Sequence, residues 1–173
     1  MSLLGHSNTV YAIAFNTPFS DKIATGSFDK TAKLWDSEDG RNISTFNGHQ
    51  REVVCTTFDP QSCILATGSL DQTAKLWDIR SGQEIKTIRG HSGELVSASY
   101  SSDGNYLLTG SFDATINIWD CREQKILHRL IGHRGEISNA LFNYTGTKII
   151  SGSVDGTVRI WDAVSGSCLK VAL

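Results

Sequence analysis

Long apolar runs, an excess of one charge and paired cysteines are all missing from this chain of 173 residues. No run approaches the roughly 20 apolar residues that an α-helix needs to cross a bilayer. The opening "MSLLGHSNTV" has no basic region followed by an apolar stretch, so no signal peptide is expected. Sixteen Lys and Arg against eighteen Asp and Glu give a net charge of −2. That balance offers no electrostatic footprint for nucleic acid or an anionic membrane. Cys55, Cys63, Cys121 and Cys168 form no C-x-x-C pair and no evident disulfide framework, so reduced, partly buried thiols are expected. Neither G-x-x-x-x-G-K-[ST] nor G-x-G-x-x-G occurs, which removes the phosphate-cradling loops. No His/Cys cluster has metal-ligand spacing. At 39% hydrophobic, the chain is expected to be globular, soluble and cytosolic, with a substantial core and no cofactor or metal.

What is present is repetition. The stretch "ATGSFDKTAKLWD" (Ala24 to Asp36) returns as "ATGSLDQTAKLWD", "LTGSFDATINIWD" and "ISGSVDGTVRIWD". Trp35, Trp77, Trp119 and Trp161 are 42 residues apart, as are Asp29, Asp71, Asp113 and Asp155. A Gly-His pair opens each copy, with His6, His49, His91 and His133. The repeats run approximately 5–47, 48–89, 90–131 and 132–173, one region over 1–173 with no linker left over. Inside a repeat the pattern is β: "VYAIAF", "KIATGS", "TAKLW" and "NISTF" are short apolar or alternating runs. Turn clusters such as "NTPFSD", "FDK" and "SEDGR" separate them. Four short antiparallel strands per unit describe one blade of a propeller, an all-β fold whose blades need neighbours.

The Gly-His to Trp-Asp signature, at a period of about 40–45, resembles the WD-repeat β-propellers across essentially the whole chain. In that family a buried tetrad joins the Trp indole, a second-strand hydroxyl, the Gly-His imidazole and the turn Asp. Carried onto this sequence, the sets are His6, Thr25, Asp29 and Trp35; His49, Thr67, Asp71 and Trp77; His91, Thr109, Asp113 and Trp119; and His133, Ser151, Asp155 and Trp161. Ser27, Ser69, Ser111 and Ser153 recur two residues later on the same side of the strand, so the hydroxyl is left open between the two positions. A Ser–His–Asp catalytic triad is the competing reading. A catalytic constellation is needed once, whereas a structural device recurs in every unit, so no enzyme is expected. Lys33, Lys75 and Arg159 recur in the third strand, where a solvated or stem-packed face is expected rather than a nucleic-acid stripe.

Function is then expected on the loops of a rigid scaffold. The residue before each turn Asp is apolar: Phe28, Leu70, Phe112 and Val154. The third residue after each Gly-His is Thr9, Glu52, Glu94 and Glu136. The resemblance places both sets on the channel face that family members use to hold partners, where apolar side chains among carboxylates suit a basic, apolar peptide. The bland alternative is that the aromatics pack over neighbouring turns and the carboxylates are merely solvated.

Some of the wording is more specific. "VYAIAFNTPFSDKIATGSFDKTAKLW" and "DPQSCILATGSLDQTAKLWDI" resemble the WD-repeat dynein assembly factors, adaptors between outer-arm dynein and intraflagellar transport. That resemblance implies dynein arm components and transport machinery as partners, and the cytoplasm, cilium or flagellum and its base as location. The alternatives are a ubiquitin-ligase substrate receptor or a centriolar scaffold. Those factors carry eight repeats and a helical amino-terminal region, whereas this chain has four repeats. The final "CLKVAL" reads as the fourth strand of blade four, so each blade is expected to be complete. Half of an eight-bladed ring would leave two apolar blade faces, and a homodimer would cover them.

Overall fold

The computed structural model describes residues 2–172, and its strands come in four sets of four. Blade one holds β1 (Val10–Phe15), β2 (Lys22–Ser27), β3 (Thr31–Asp36) and β4 (Asn42–Asn47). Blade two holds β5 (Val53–Phe58), β6 (Ile64–Ser69), β7 (Thr73–Asp78) and β8 (Glu84–Arg89). Blade three holds β9 (Leu95–Tyr100), β10 (Tyr106–Ser111), β11 (Thr115–Asp120) and β12 (Lys125–Ile131). Blade four holds β13 (Ile137–Phe142), β14 (Lys148–Ser153), β15 (Val158–Asp162) and β16 (Cys168–Ala172). Each set is one antiparallel sheet with its strands in chain order. Among the described residues there is no helix, and the fold is all-β. Leu173, the last residue of "CLKVAL", lies outside the described residues.

Turn chemistry explains the sharp strand ends. Between the second and third strand of each blade one residue takes a left-handed conformation: Lys30 (φ 71°), Gln72 (φ 70°), Ala114 (φ 66°) and Gly156 (φ 82°). Such a conformation is strained for all but glycine. The preceding Asp offsets the strain by accepting the N–H of the residue after it, as Asp29 does from Thr31 at 3.0 Å. The first strand of each blade carries a register shift against the second, for example between Val10 and Ala12 and between Ile137 and Asn139. Such bulges sharpen the local twist and re-aim the side chains after them.

The backbone divides into two compact units, one ending at Arg89 and one starting at Gly90, each with two blades. In the first unit Ala24, Ala32, Leu34 and Phe46 of blade one bury against Val53, Phe58, Leu65, Trp77 and Ile79 of blade two. Phe46 meets the Trp77 ring at 5.3 Å. In the second unit Leu108, Ile116, Ile118 and Leu130 of blade three bury against Ile137, Ala140, Ile149, Trp161 and Ala163 of blade four. A glycine in the second strand makes each contact close. A Cβ on Gly26 would lie 2.8 Å from Val53 Cγ1, and one on Gly110 would lie 2.9 Å from Ile137 Cγ2. Cys55 is buried, and burial pushes its thiol up to about 12; Cys63 and Cys168 are exposed and Cys121 is half-buried.

Candidate protein-interaction site

Four polar chains run through the blades. In blade one the Trp35 indole N–H donates to Thr25 Oγ1 at 2.8 Å, and Thr25 Oγ1 lies 2.7 Å from His6 Nε2. His6 Nδ1 in turn lies 2.8 Å from Asp29 Oδ2. Blade two repeats this with Trp77, Thr67, His49 and Asp71, every step 2.8 Å. Blade three brings together Trp119, Thr109, His91 and Asp113 at 2.8, 2.9 and 3.0 Å. Blade four does so with Trp161, Ser151, His133 and Asp155 at 2.8, 2.8 and 3.0 Å. The second recurring hydroxyl has a different task. Ser27 Oγ accepts the Asp29 N–H and donates to the Asn8 carbonyl, and Ser69 and Ser153 hold the same positions in their own blades.

Each turn Asp gathers more donors than the tetrad contains. Asp29 also accepts the Ser7 N–H at 3.0 Å and the Thr31 hydroxyl at 2.6 Å. Thr73, Thr115 and Thr157 donate in the same way to Asp71, Asp113 and Asp155, at 2.6, 2.7 and 2.7 Å. Sequence reasoning missed these threonines, although Asp-x-Thr recurs in all four copies. Burial pushes the Asp29, Asp71 and Asp113 carboxyls up, but these hydrogen bonds outweigh it. Their net position is below the ordinary carboxylate range, and Asp113 comes to about 2. The Arg134 N–H and the Thr157 hydroxyl hold Asp155 low as well. Burial holds the His91 imidazole below its ordinary value against the pull of Asp113. Both ring nitrogens of each tetrad histidine are engaged and its side chain is buried, so none of these imidazoles presents a nitrogen to a substrate.

The third-strand cations are not simply solvated. Lys75 is buried, donates to Glu84 Oε2 and Thr87 Oγ1 at 2.7 Å each, and lies 5.9 Å from the Trp77 ring. That ion pair holds the Glu84 carboxyl below its usual range. Lys33 donates to Thr45 at 2.9 Å, and the Arg159 guanidinium stands 5.9 Å over Trp161. Blade three places Asn117 there instead, between Arg129 Nε and His91 Nε2 at 3.1 Å each.

The two loop sets meet in pairs. The N–H of each apolar residue donates to the carbonyl of the third residue after the Gly-His. Phe28 donates to Thr9 at 2.9 Å, Leu70 to Glu52 at 3.0 Å, Phe112 to Glu94 at 2.9 Å and Val154 to Glu136 at 3.0 Å. Blades two to four therefore hold an apolar residue against the loop residue that carries the acid, whereas blade one has Thr9 there. Phe112, Val154 and Glu136 are exposed, while Leu70, Glu52 and Glu94 are half-buried. Phe28 behaves differently, stacking on Tyr11 at 5.6 Å. Glycine makes the pairing tight in blades three and four. A Cβ on Gly93 would lie 2.6 Å from the Asp113 nitrogen, and one on Gly135 2.9 Å from Val154 Cγ2.

The WD40 family model (WD domain, G-beta repeat) matches residues 1–36, 40–78, 82–120 and 124–162. The chain is a WD40 repeat protein. WD40 repeat proteins are in general non-enzymatic scaffolds that bind other proteins. Among its relatives, ribosome assembly protein 4 of Saccharomyces cerevisiae is 34% identical over 64 residues, 37% of this WD40 chain and 12% of the yeast protein. WD repeat and SOCS box-containing protein 1 of Danio rerio is 33% identical over 66 residues, covering 38% and 16% of the two chains. The peroxisomal targeting signal 2 receptor of Homo sapiens is 32% identical over 56 residues, covering 32% and 17%. The similarity thus spans less than a fifth of each of these relatives' own length.

Proposed function

We propose that this WD40 chain is a non-enzymatic adaptor whose loops hold a basic, apolar segment of another protein. The observation that carries the reading is the backbone pairing of acid-bearing and apolar loop residues, seen at Leu70 and Glu52, Phe112 and Glu94, and Val154 and Glu136. An apolar contact beside a carboxylate gives both area and charge selection to a bound peptide. The occupied and buried tetrad histidines favour a scaffold over an enzyme.

The finer reading is an adaptor for outer-arm dynein assembly and intraflagellar transport, in the cytoplasm and at the cilium or flagellum and its base. It rests on the sequence wording of repeats one to three and on the Gly-His-x-x-Glu starts of repeats two to four. The relatives named above are diverse WD proteins whose names do not point to dynein. A second reading, a receptor within another complex, is favoured by the human relative, whose name makes it the receptor of a targeting signal. In either reading the chain pairs with itself.

Affinity capture with this chain from ciliated cells, against matched cells without cilia, tests the finer reading. Enrichment of dynein arm and transport proteins from ciliated cells alone supports it. Equal recovery of one complex from both cell types replaces it with the second reading. A turnover lost on changing one tetrad histidine, and kept on changing the other three, removes the scaffold reading altogether.

A further inference from the structure

Blade two departs from the other blades at one place in the loop that carries the acid. The residue before Thr9, Glu52, Glu94 and Glu136 is Asn8, Arg51, Gly93 and Gly135 in turn. The backbone at this place is held alike in blades two and four. Ser69 Oγ donates to the Arg51 carbonyl at 3.1 Å, as Ser153 Oγ does to that of Gly135 at 2.8 Å. The arginine side chain is thus an addition to an otherwise repeated loop.

That side chain turns back onto its own blade's pair. Arg51 Nη1 donates to the Leu70 carbonyl at 3.3 Å, and Arg51 Nε stands 3.7 Å from Glu52 Oε2. Glu52 Oε2 is buried and has no hydrogen-bond partner among the described residues. The guanidinium therefore offsets the charge of the carboxylate without bonding to this oxygen, and the arginine side chain stays 52% exposed. An ion pair this exposed is weak, and it lacks the short paired bonds that lock an arginine onto a carboxylate. Blade four, with Gly135 in place of the arginine, leaves both Val154 and Glu136 exposed, whereas Leu70 and Glu52 are half-buried.

We infer that Arg51 is an internal stand-in for the basic residue of the bound segment, holding the blade-two position until a partner's cation displaces it. The inference rests on the adaptor reading above and names how that site is regulated. Chemical identity selects it: a cation set against an apolar residue and its neighbouring acid is the arrangement proposed there for the partner. The looseness of the Arg51 pair makes exchange feasible, since an incoming lysine or arginine has only a weak contact to replace. Selectivity follows. A segment gains at blade two only when its own cation outcompetes one already in place, so weakly basic segments are turned away.

Fluorescence anisotropy with a labelled peptide of alternating lysine and leucine reads the exchange, against a glutamate-leucine peptide as control. Arg51→Gly, which copies blades three and four, is expected to tighten binding of the lysine-leucine peptide about two- to fivefold, the range that an exposed ion pair spans. Glu52→Gln is expected to shift wild-type binding by less than about twofold, and to remove the gain in an Arg51→Gly background. Arg41→Ala removes an equal charge from the exposed loop between β3 and β4 and is expected to leave the affinity unchanged. Arg51→Gly binding as wild type does overturns the inference. So does an equal gain from Arg41→Ala, or a gain that survives Glu52→Gln. Should neither wild type nor any variant prefer the lysine-leucine peptide, the adaptor reading falls and the inference with it. If Arg51→Gly lowers the thermal midpoint, Arg51→Ala, without the backbone freedom of glycine, decides in its place.

Discussion

His91 Nδ1 lies 3.0 Å from Asp113 Oδ2, joining an imidazole held neutral by burial to a carboxylate held ionised by its donors. The two groups make stability depend on pH in the same direction. Asp113 moves from an ordinary 3.8 to about 2, so its contribution is full above the unfolded value and is lost as pH falls through about 2. His91 is lowered from 6.5, so below that pH the unfolded chain takes up the proton first and stability also falls. Urea midpoints are expected to drop from pH 7.5 to pH 5.5, and again between pH 4 and pH 2. A midpoint that rises on the first of these steps contradicts the neutral imidazole.

Replacing His91 by Ala takes a partner from the buried Thr109 hydroxyl, and replacing Asp113 takes one from the half-buried Thr115 hydroxyl and from the exposed Ser92 N–H. Each is expected to lower the unfolding free energy by about 1–3 kcal/mol. Chemical denaturation measures this, and unchanged stability in both variants removes the tetrad as a structural device.

Thr115→Val keeps the shape of the side chain and removes one of the donors to Asp113. The expected loss is about 1 kcal/mol, together with a rise of the Asp113 carboxyl toward its ordinary value. Carbon-detected NMR titration of that carboxyl checks the second effect, which packing alone would leave unmoved.

Gly110→Val places a Cβ 2.9 Å from Ile137 Cγ2 and is expected to cost the second unit about 1–3 kcal/mol through overpacking. Chemical denaturation measures this loss. Gly152→Val should change the midpoint little, since only the Ser138 hydroxyl stands near. Equal losses at the two glycines would mean that the Ile137 contact does not set the cost.

Glu52→Lys with Glu94→Lys is expected to weaken partner capture at physiological salt while leaving the thermal midpoint unchanged. Both side chains sit on loops, and their backbone carbonyls, which hold Leu70 and Phe112, stay in place. Capture that survives the double reversal moves the binding surface away from these loops.

Repetition made the strands and the tetrads legible in the amino-acid sequence. Every tetrad partner lies within one repeat, His6 and Asp29 being 23 residues apart. A local hydrogen-bonded unit copied four times therefore announces its members by their spacing. Alternation and turn residues placed strands such as Val10–Phe15 and Lys22–Ser27, because each hairpin is closed by its own turn.

Distances along one strand were beyond that reading. Thr25 and Ser27 share a side of β2, and only the fold puts Thr25 under the Trp35 indole and Ser27 at the turn, against Asp29 N. Burial was further out of reach. Val10 and Val53 are the same residue at the same place in the repeat, yet one is exposed and the other fully buried. The sequence determines which side chains are apolar and how they line one face of a blade. Whether that face is covered depends on what packs against it, and a blade's own residues do not encode its neighbour.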